Sequence, residues 1–285
     1  MKIQIHRRIA SGIAVPAFCI PLLHSFSSWG TPVLSADPTP NSRADLDDSL
    51  SSAPDLLMGG TAEVILQSSG AIEADVERLR ALLGDPNNGG NPGPLDSGRR
   101  EINWDGVPPA VTNVPNFPPA FFNVNSKRGL VYNLVSTGLE VSDASFTDIN
   151  ATYAAEFTPF SGQKLFAPIG SNASDVEFFV PGTDTKAPVR GFGVVFSDVD
   201  VSGSTGIILI GQDGRSIGRI LAPVRSDARG SSFVGVVFRN PVIARVHIVS
   251  GNGALSPQEK DVTQGGAHDL VVMDDFLYGE PGASN

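Results

Sequence analysis

Asp274 and Asp275 stand side by side inside an apolar run, Val271-Val272-Met273-Asp274-Asp275-Phe276-Leu277-Tyr278. The run reads as a buried β-strand, and an unpaired carboxylate is too costly to bury. Neighbouring strand residues point to opposite faces, so the two cannot share one solvent-facing side. The inward one needs an arginine, a set of backbone N–H donors or a bound cation. A calcium ion here would draw further oxygens from Glu101, Asn103 or Asp105, on an early strand expected to pair with the last one. Carboxylates gathered from both strands would repel without positive charge between them. A salt bridge to Arg99, Arg100 or Arg190, or a solvated strand end, would meet the same need.

A second acidic pattern is Asp198-Val199-Asp200-Val201-Ser202-Gly203. Oxygen side chains at alternate positions followed by glycine are like the start of a calcium loop. An EF-hand would place glutamate at the twelfth position, where Leu209 stands, and would have helices on both sides. The pattern is therefore not an EF-hand. It is either a calcium loop of another kind, with Asp198 and Asp200 as ligands, or a polar hairpin turn between two strands.

Enzyme chemistry has little to draw on. His247 and His268 are the only histidines beyond the N-terminal region, and no G-x-S-x-G motif supplies a nucleophilic serine. Paired carboxylates can hydrolyse glycosides, but abundant acids are expected in so acidic a chain. For binding, Trp104, Phe121 and Tyr153 are the candidates to stack on a sugar ring, against the competing role of aromatic side chains as core.

The elements that position these residues are short. Ile72, Val76, Leu79 and Leu83 recur at helical spacing, and predict a helix over residues 71–83. Acidic residues come first and arginines last, which suits the helix dipole. Gly84 and Pro86 end it. Residues 85–98 form a Pro-, Gly- and Asn-rich linker. Beyond it, short apolar runs bounded by Gly, Pro, Asn and Asp give about ten strands, from 101–104 to 269–278, with Asp213-Gly214 as a tight hairpin turn. Without helical crossovers these strands make antiparallel sheets. The expected fold is all-β: an antiparallel β-sandwich of jelly-roll type with a short N-terminal α-helix. Residues 108–119 and 143–162 are expected as long loops at one end of it, where binding surfaces usually sit.

The chain has 285 residues, 41% hydrophobic and 18% charged, enough for a substantial core. Its formal charge of −10 argues against nucleic acid, which is bound by neutralising phosphates. Acidic side chains suit a hard cation instead. The one cysteine, Cys19, lies in the N-terminal apolar stretch, which leaves the remainder without disulfides or thiol chemistry. Residues 1–36 read as an export signal: Lys2, His6, Arg7 and Arg8, then the apolar stretch Ile9 to Leu23, then Leu34-Ser35-Ala36 as a cleavage site. Arg7-Arg8 leaves a twin-arginine route open. The stretch is too short and too broken by proline to span a membrane. No integral membrane segment is expected after its removal. Residues 37–70 read as a flexible leader, 71–98 as helix and linker, and 99–281 as the sandwich domain.

Gly98-Arg99-Arg100-Glu101-Ile102-Asn103-Trp104-Asp105-Gly106-Val107-Pro108, Phe121-Phe122-Asn123-Val124-Asn125-Ser126 and the closing Val271 to Pro281 resemble motifs of a family of uncharacterised exported proteins, mostly bacterial. The likeness extends over about residues 72–281. It implies secretion and a β-sandwich, and it brings no activity with it. The closing segment is also similar to exported proteins with a PEP-CTERM anchor. The sequence ends at Asn285 without a hydrophobic helix or basic tail, so that anchor is expected to be absent.

The expectation is a secreted or periplasmic, monomeric, non-catalytic module that binds carbohydrate or a cell-surface polymer, with a structural calcium site. The choice of ligand class is fold-level analogy. The alternatives are a structural or adhesive surface protein without a small ligand, and a glycan-active hydrolase.

Overall fold

A computed structural model describes residues 50–51, 53–56, 62–133, 136–225, 227 and 229–282. The expected export signal and most of the leader lie outside the described residues. No described helix is long and apolar enough to cross a membrane.

The chain opens with β1 (Ala62–Ser69) and α1 (Glu73–Leu83), followed by β2 (Arg99–Ile102). A one-turn helix, α2 (Phe121–Val124), precedes β3 (Leu130–Asn133), β4 (Gly138–Ser142) and β5 (Leu165–Ile169). Then come β6 (Ala173–Phe178), β7 (Gly191–Ser197), β8 (Gly206–Ile210) and β9 (Ser216–Leu221). The last three are β10 (Ser231–Phe238), β11 (Arg245–Val249) and β12 (Val272–Gly279).

The strands form two antiparallel sheets. One runs β1-β10-β7-β12-β5-β4, with β2 pairing the same edge of β12 as β5; the other runs β3-β6-β11-β8-β9. From β5 onward the chain changes sheet at every step except the β8–β9 hairpin. That hairpin turns at Asp213-Gly214 as expected, with Gly214 at φ +77°, a conformation natural to glycine.

The main core lies between the sheets, built on Trp104, Phe166, Phe192, Phe196, Phe276 and Tyr278. Trp104 stacks on Phe166 with ring centroids 4.2 Å apart and meets Phe276 edge-on at 5.5 Å. A second apolar layer lies outside the larger sheet, where α1 docks. Ile72, Val76, Leu79 and Leu83, the face read from the sequence, are all buried there against Val195, Phe233, Val237 and Leu277.

Two strands differ from expectation. Residues 62–69, assigned above to a flexible leader, form β1, which pairs β10 from Ala62↔Phe238 to Ser69↔Ser232. An edge strand needs only one neighbour, and β10 supplies it. Residues 138–142 form β4, buried along its whole length. The Asp198–Gly203 segment also differs from the hairpin reading, because it carries the chain from β7 in one sheet to β8 in the other.

Candidate metal centre

The register of β7 on β12 assembles an acidic cluster. Ser197, the last residue of β7, pairs Val272, the first of β12. In an antiparallel pair, residues leaving one strand lie beside residues entering the other. Asp198 and Asp200 therefore come alongside Asp269. The contact is made by hydrogen bonds: Asp200 N–H donates to Asp269 Oδ1 and Val201 N–H to Oδ2, both at 3.1 Å. The Ser204 hydroxyl adds a third donor at 2.5 Å.

Two further acids reach the same place. Asp261 caps a short 3₁₀ turn (Val262–Gln264), accepting from Thr263 N–H at 2.8 Å, and takes Leu270 N–H at 2.8 Å on its other oxygen. Glu156 follows the 3₁₀ turn Ala151–Ala155, which is tied to the end of β7 by Thr158 N–H donating to Ser197 Oγ at 3.1 Å. The Thr263 hydroxyl lies 2.8 Å from both Glu156 Oε2 and Asp261 Oδ1. It has one proton and can satisfy only one of them.

The five acids form two triads, Glu156–Asp198–Asp261 and Asp200–Asp261–Asp269, and within each triad one oxygen per residue lies within 4.8 Å of the others. Asp198, Asp261 and Asp269 are fully buried and Glu156 nearly so. Asp198 Oδ2 and both Asp200 oxygens are closed to solvent and accept no hydrogen bond. Among the described residues no arginine or lysine pairs with any of the five. Burial pushes the Asp198 carboxyl well above the usual range, and Asp200, Asp261 and Glu156 push it further. Asp200 is raised for the same reasons, by burial and then by Asp261 and Asp269. At Asp269 burial outweighs the donors from Ser204, Val201 and Asp200. Oxygen-only ligands of this kind fit a hard divalent cation.

Beside the cluster lies a cleft of about 440 Å³ lined in part by Asn252, Ser256, Glu259 and His268. Its wall is continuous with the cluster, since Asp269 N–H donates to Asn252 Oδ1 at 2.8 Å. His268 Nδ1 is 2.6 Å from Glu259 Oε1. Val201 and Val262, two of the large apolar side chains left exposed, directly follow the cluster aspartates Asp200 and Asp261 in sequence.

Of the metal ligands expected from sequence, Asp198 and Asp200 join this cluster, and Asp274, Asp275, Glu101 and Asp105 do not. The pairing register shifts between Met273 and Phe276, so Asp274 and Asp275 occupy a β-bulge. A bulge re-aims side chains, and here both carboxylates reach Ser161: Asp274 accepts its N–H at 3.0 Å and Asp275 its hydroxyl at 2.5 Å. Phe160 N–H adds a 2.6 Å bond to Asp274, and Arg80 lies 3.4 Å from Asp275. The pair is thus held by backbone donors and by an arginine from α1, not by Arg99, Arg100 or Arg190. Glu101 is taken by Arg99 at 2.7 Å and Arg80 at 2.9 Å, and Asp105 by Gln163 N–H at 2.8 Å.

The stacking residues are also corrected. Trp104 and Tyr153 are 1% and 0% exposed and Phe121 is 9% exposed, so none offers a face to a sugar. Trp104 donates its indole N–H to the Asp274 carbonyl at 2.9 Å, and Tyr153 donates its hydroxyl to the Ser256 carbonyl at 2.9 Å. Glu156, Asp261 and Asp269 were missed from sequence. Glu156 is remote in sequence from the other two, whereas Asp261 reaches the Asp269 segment locally, through its bridge to His268 and the Leu270 N–H bond, and strand pairing sets that segment beside Asp198 and Asp200.

No protein-family model matches this sequence, and no curated protein is significantly similar to it. Among solved structures, the enzymatically active domain of tailspike protein 4 from bacteriophage CBA120 is similar over 61% of this chain at 15% identity, with a TM-score of 0.25. The match spans 22% of that domain's chain.

Proposed function

We propose that this protein is an exported, monomeric, non-catalytic binding module whose loops at the β7–β12 end are held in shape by calcium. The observation that carries this reading is the set of buried carboxylate oxygens of Asp198 and Asp200 that accept no hydrogen bond and, among the described residues, pair with no basic side chain. Buried polar atoms are seldom left unpartnered, and bound calcium would satisfy them. Calcium is the ion we favour, because it accepts many carboxylate oxygens in flexible geometry.

The ligand site is the adjoining cleft. Its amide, hydroxyl, carboxylate and imidazole groups suit a hydroxyl-rich ligand such as a carbohydrate or cell-surface polymer, bound by hydrogen bonds in place of aromatic stacking. The jelly-roll connectivity belongs to the same proposal, and the repeated change of sheet from β5 onward supports it.

The test is calcium titration of the full chain by calorimetry, followed by glycan arrays in calcium and in EDTA. The expected result is saturable heat, lost in Asp198→Asn, and glycan binding that EDTA removes. No heat with the parent protein would sink the cation. Glycan binding unchanged in Asn252→Ala would sink the cleft.

A further inference from the structure

We infer that the acidic cluster holds two divalent cations with Asp261 as their shared ligand. The inference rests on the calcium reading above and extends it from one ion to a pair. Three observations support it.

The five carboxylates do not close on one point. They divide into Glu156–Asp198–Asp261 and Asp200–Asp261–Asp269, with Asp261 the only member common to both. Each triad also has its own unpartnered oxygen. Fully buried Asp198 leaves Oδ2 free in the first, and Asp200 leaves both oxygens free in the second. One ion placed in either triad would leave the other triad's orphan unsatisfied.

Charge gives the second argument. Carboxylates bind metal in their ionised form, and among the described residues no arginine or lysine pairs with the five. With all five ionised, one divalent ion would leave three charges unmatched, and two ions would leave one. Uncompensated charge at that depth is among the costliest arrangements a fold can keep.

The third argument is the coordination left on Asp261. Leu270 N–H occupies one position on Oδ2, and Thr263 N–H one on Oδ1. Each carboxylate oxygen has room for about two partners. If the Thr263 hydroxyl gives its proton to Glu156, one position stays open on each Asp261 oxygen, one for each ion. Asp269 is arranged similarly: Oδ2 is filled by Val201 N–H and the Ser204 hydroxyl, while Oδ1 carries only Asp200 N–H and keeps a position for the second ion.

Native mass spectrometry of the full chain, freed of metal and returned to calcium, counts the ions without requiring any variant. Two calcium ions per chain are expected. A single ion would overturn the pair and leave the calcium reading standing. None would overturn both. Variants then assign the positions, each checked for folding by circular dichroism. Glu156→Gln and Asp269→Asn should each retain one ion, and Asp261→Asn neither. Two ions retained by Asp261→Asn would place them elsewhere and overturn the inference. Because substitutions in a buried cluster can prevent folding, terbium luminescence on the parent protein provides an independent reading. Two bound ions are expected to give two equivalents at saturation, and one equivalent would overturn the pair.

Discussion

Glu280 grips the guanidinium of Arg100 through two parallel hydrogen bonds of 2.7 Å, and neither side chain is open to solvent. The remaining Arg100 nitrogen lies 2.9, 2.7 and 2.7 Å from the carbonyls of Gly89, Asn91 and Lys127, which share its two N–H protons. Glu280 in turn accepts from Asn88 at 2.8 Å and Leu95 N–H at 3.2 Å. The pair thus pins residues 85–98, which read from sequence as a linker, onto the ends of β2 and β12. Breaking a buried pair leaves an uncompensated charge and typically costs about 3–5 kcal/mol. Arg100→Met should lower stability by that order in urea unfolding. Arg100→Lys should recover little, since an ammonium cannot reproduce the fork. A loss under about 1 kcal/mol in Arg100→Met would contradict this.

Ser161 joins the two aspartates of the β12 bulge, and this contact is independent of the cation cluster. Ser161→Ala removes a 2.5 Å bond to the Asp275 carboxylate and should cost about 1.5–3 kcal/mol. The loss should be the same in calcium and in EDTA. A calcium-dependent difference in melting temperature for this variant, or for Asp274→Asn, would put an ion at the bulge after all.

Glu140 gives a pH signature. It is buried on β4, one of its oxygens has no hydrogen-bond partner, and burial with Asp148 nearby raises its pKa to about 8. A raised carboxyl means that the folded state holds the proton more tightly than the unfolded chain. Between the unfolded value near 4.5 and the folded value near 8, unfolding therefore releases a proton, and stability falls as pH rises through this window. Glu140→Gln should flatten that slope and be more stable than the parent above pH 8 by the order of a few kcal/mol. Denaturant midpoints at pH 5 and about pH 9 in excess calcium would check it. Equal slopes in the two proteins would remove Glu140 as the cause.

Local periodicity made α1 and most strands readable, because burial of one face writes itself into the spacing of Ile72, Val76, Leu79 and Leu83. The buried pairing of His247 with Asp175 across β6 and β11, at 2.7 Å, was not readable, because a cross-strand partner leaves no mark in local spacing. The bulge at Asp274-Asp275 depends on the register of β7, so strand alternation alone put the two carboxylates on opposite faces. Two of the five acids of the cluster were visible in the Asp198–Gly203 pattern. Glu156 and the Asp261–Asp269 segment reach Asp198 and Asp200 through long-range contacts, which leave no trace in local spacing. Trp104 shows a further limit, since an aromatic residue is spelled the same way in a core as on a binding face.

Gly193 and Leu79 meet where α1 lies on the larger sheet. A Cβ built on Gly193 would come 2.3 Å from Leu79 Cδ2 and 3.2 Å from the Phe233 ring. Leu79 and Phe233 are both fully buried, so neither can swing away into solvent. The missing side chain is therefore what lets the helix approach the strand. Gly193→Ala should cost about 1–3 kcal/mol by overpacking, and Leu79→Ala about 2–5 kcal/mol by opening a cavity. Combined, the alanine at 193 enters space vacated by Leu79. The double variant should then be more stable than the sum of the single losses predicts, with a coupling of about 0.5–3 kcal/mol from a thermodynamic cycle. Strict additivity would mean that the helix simply shifts on the sheet, and that Gly193 does not set its depth.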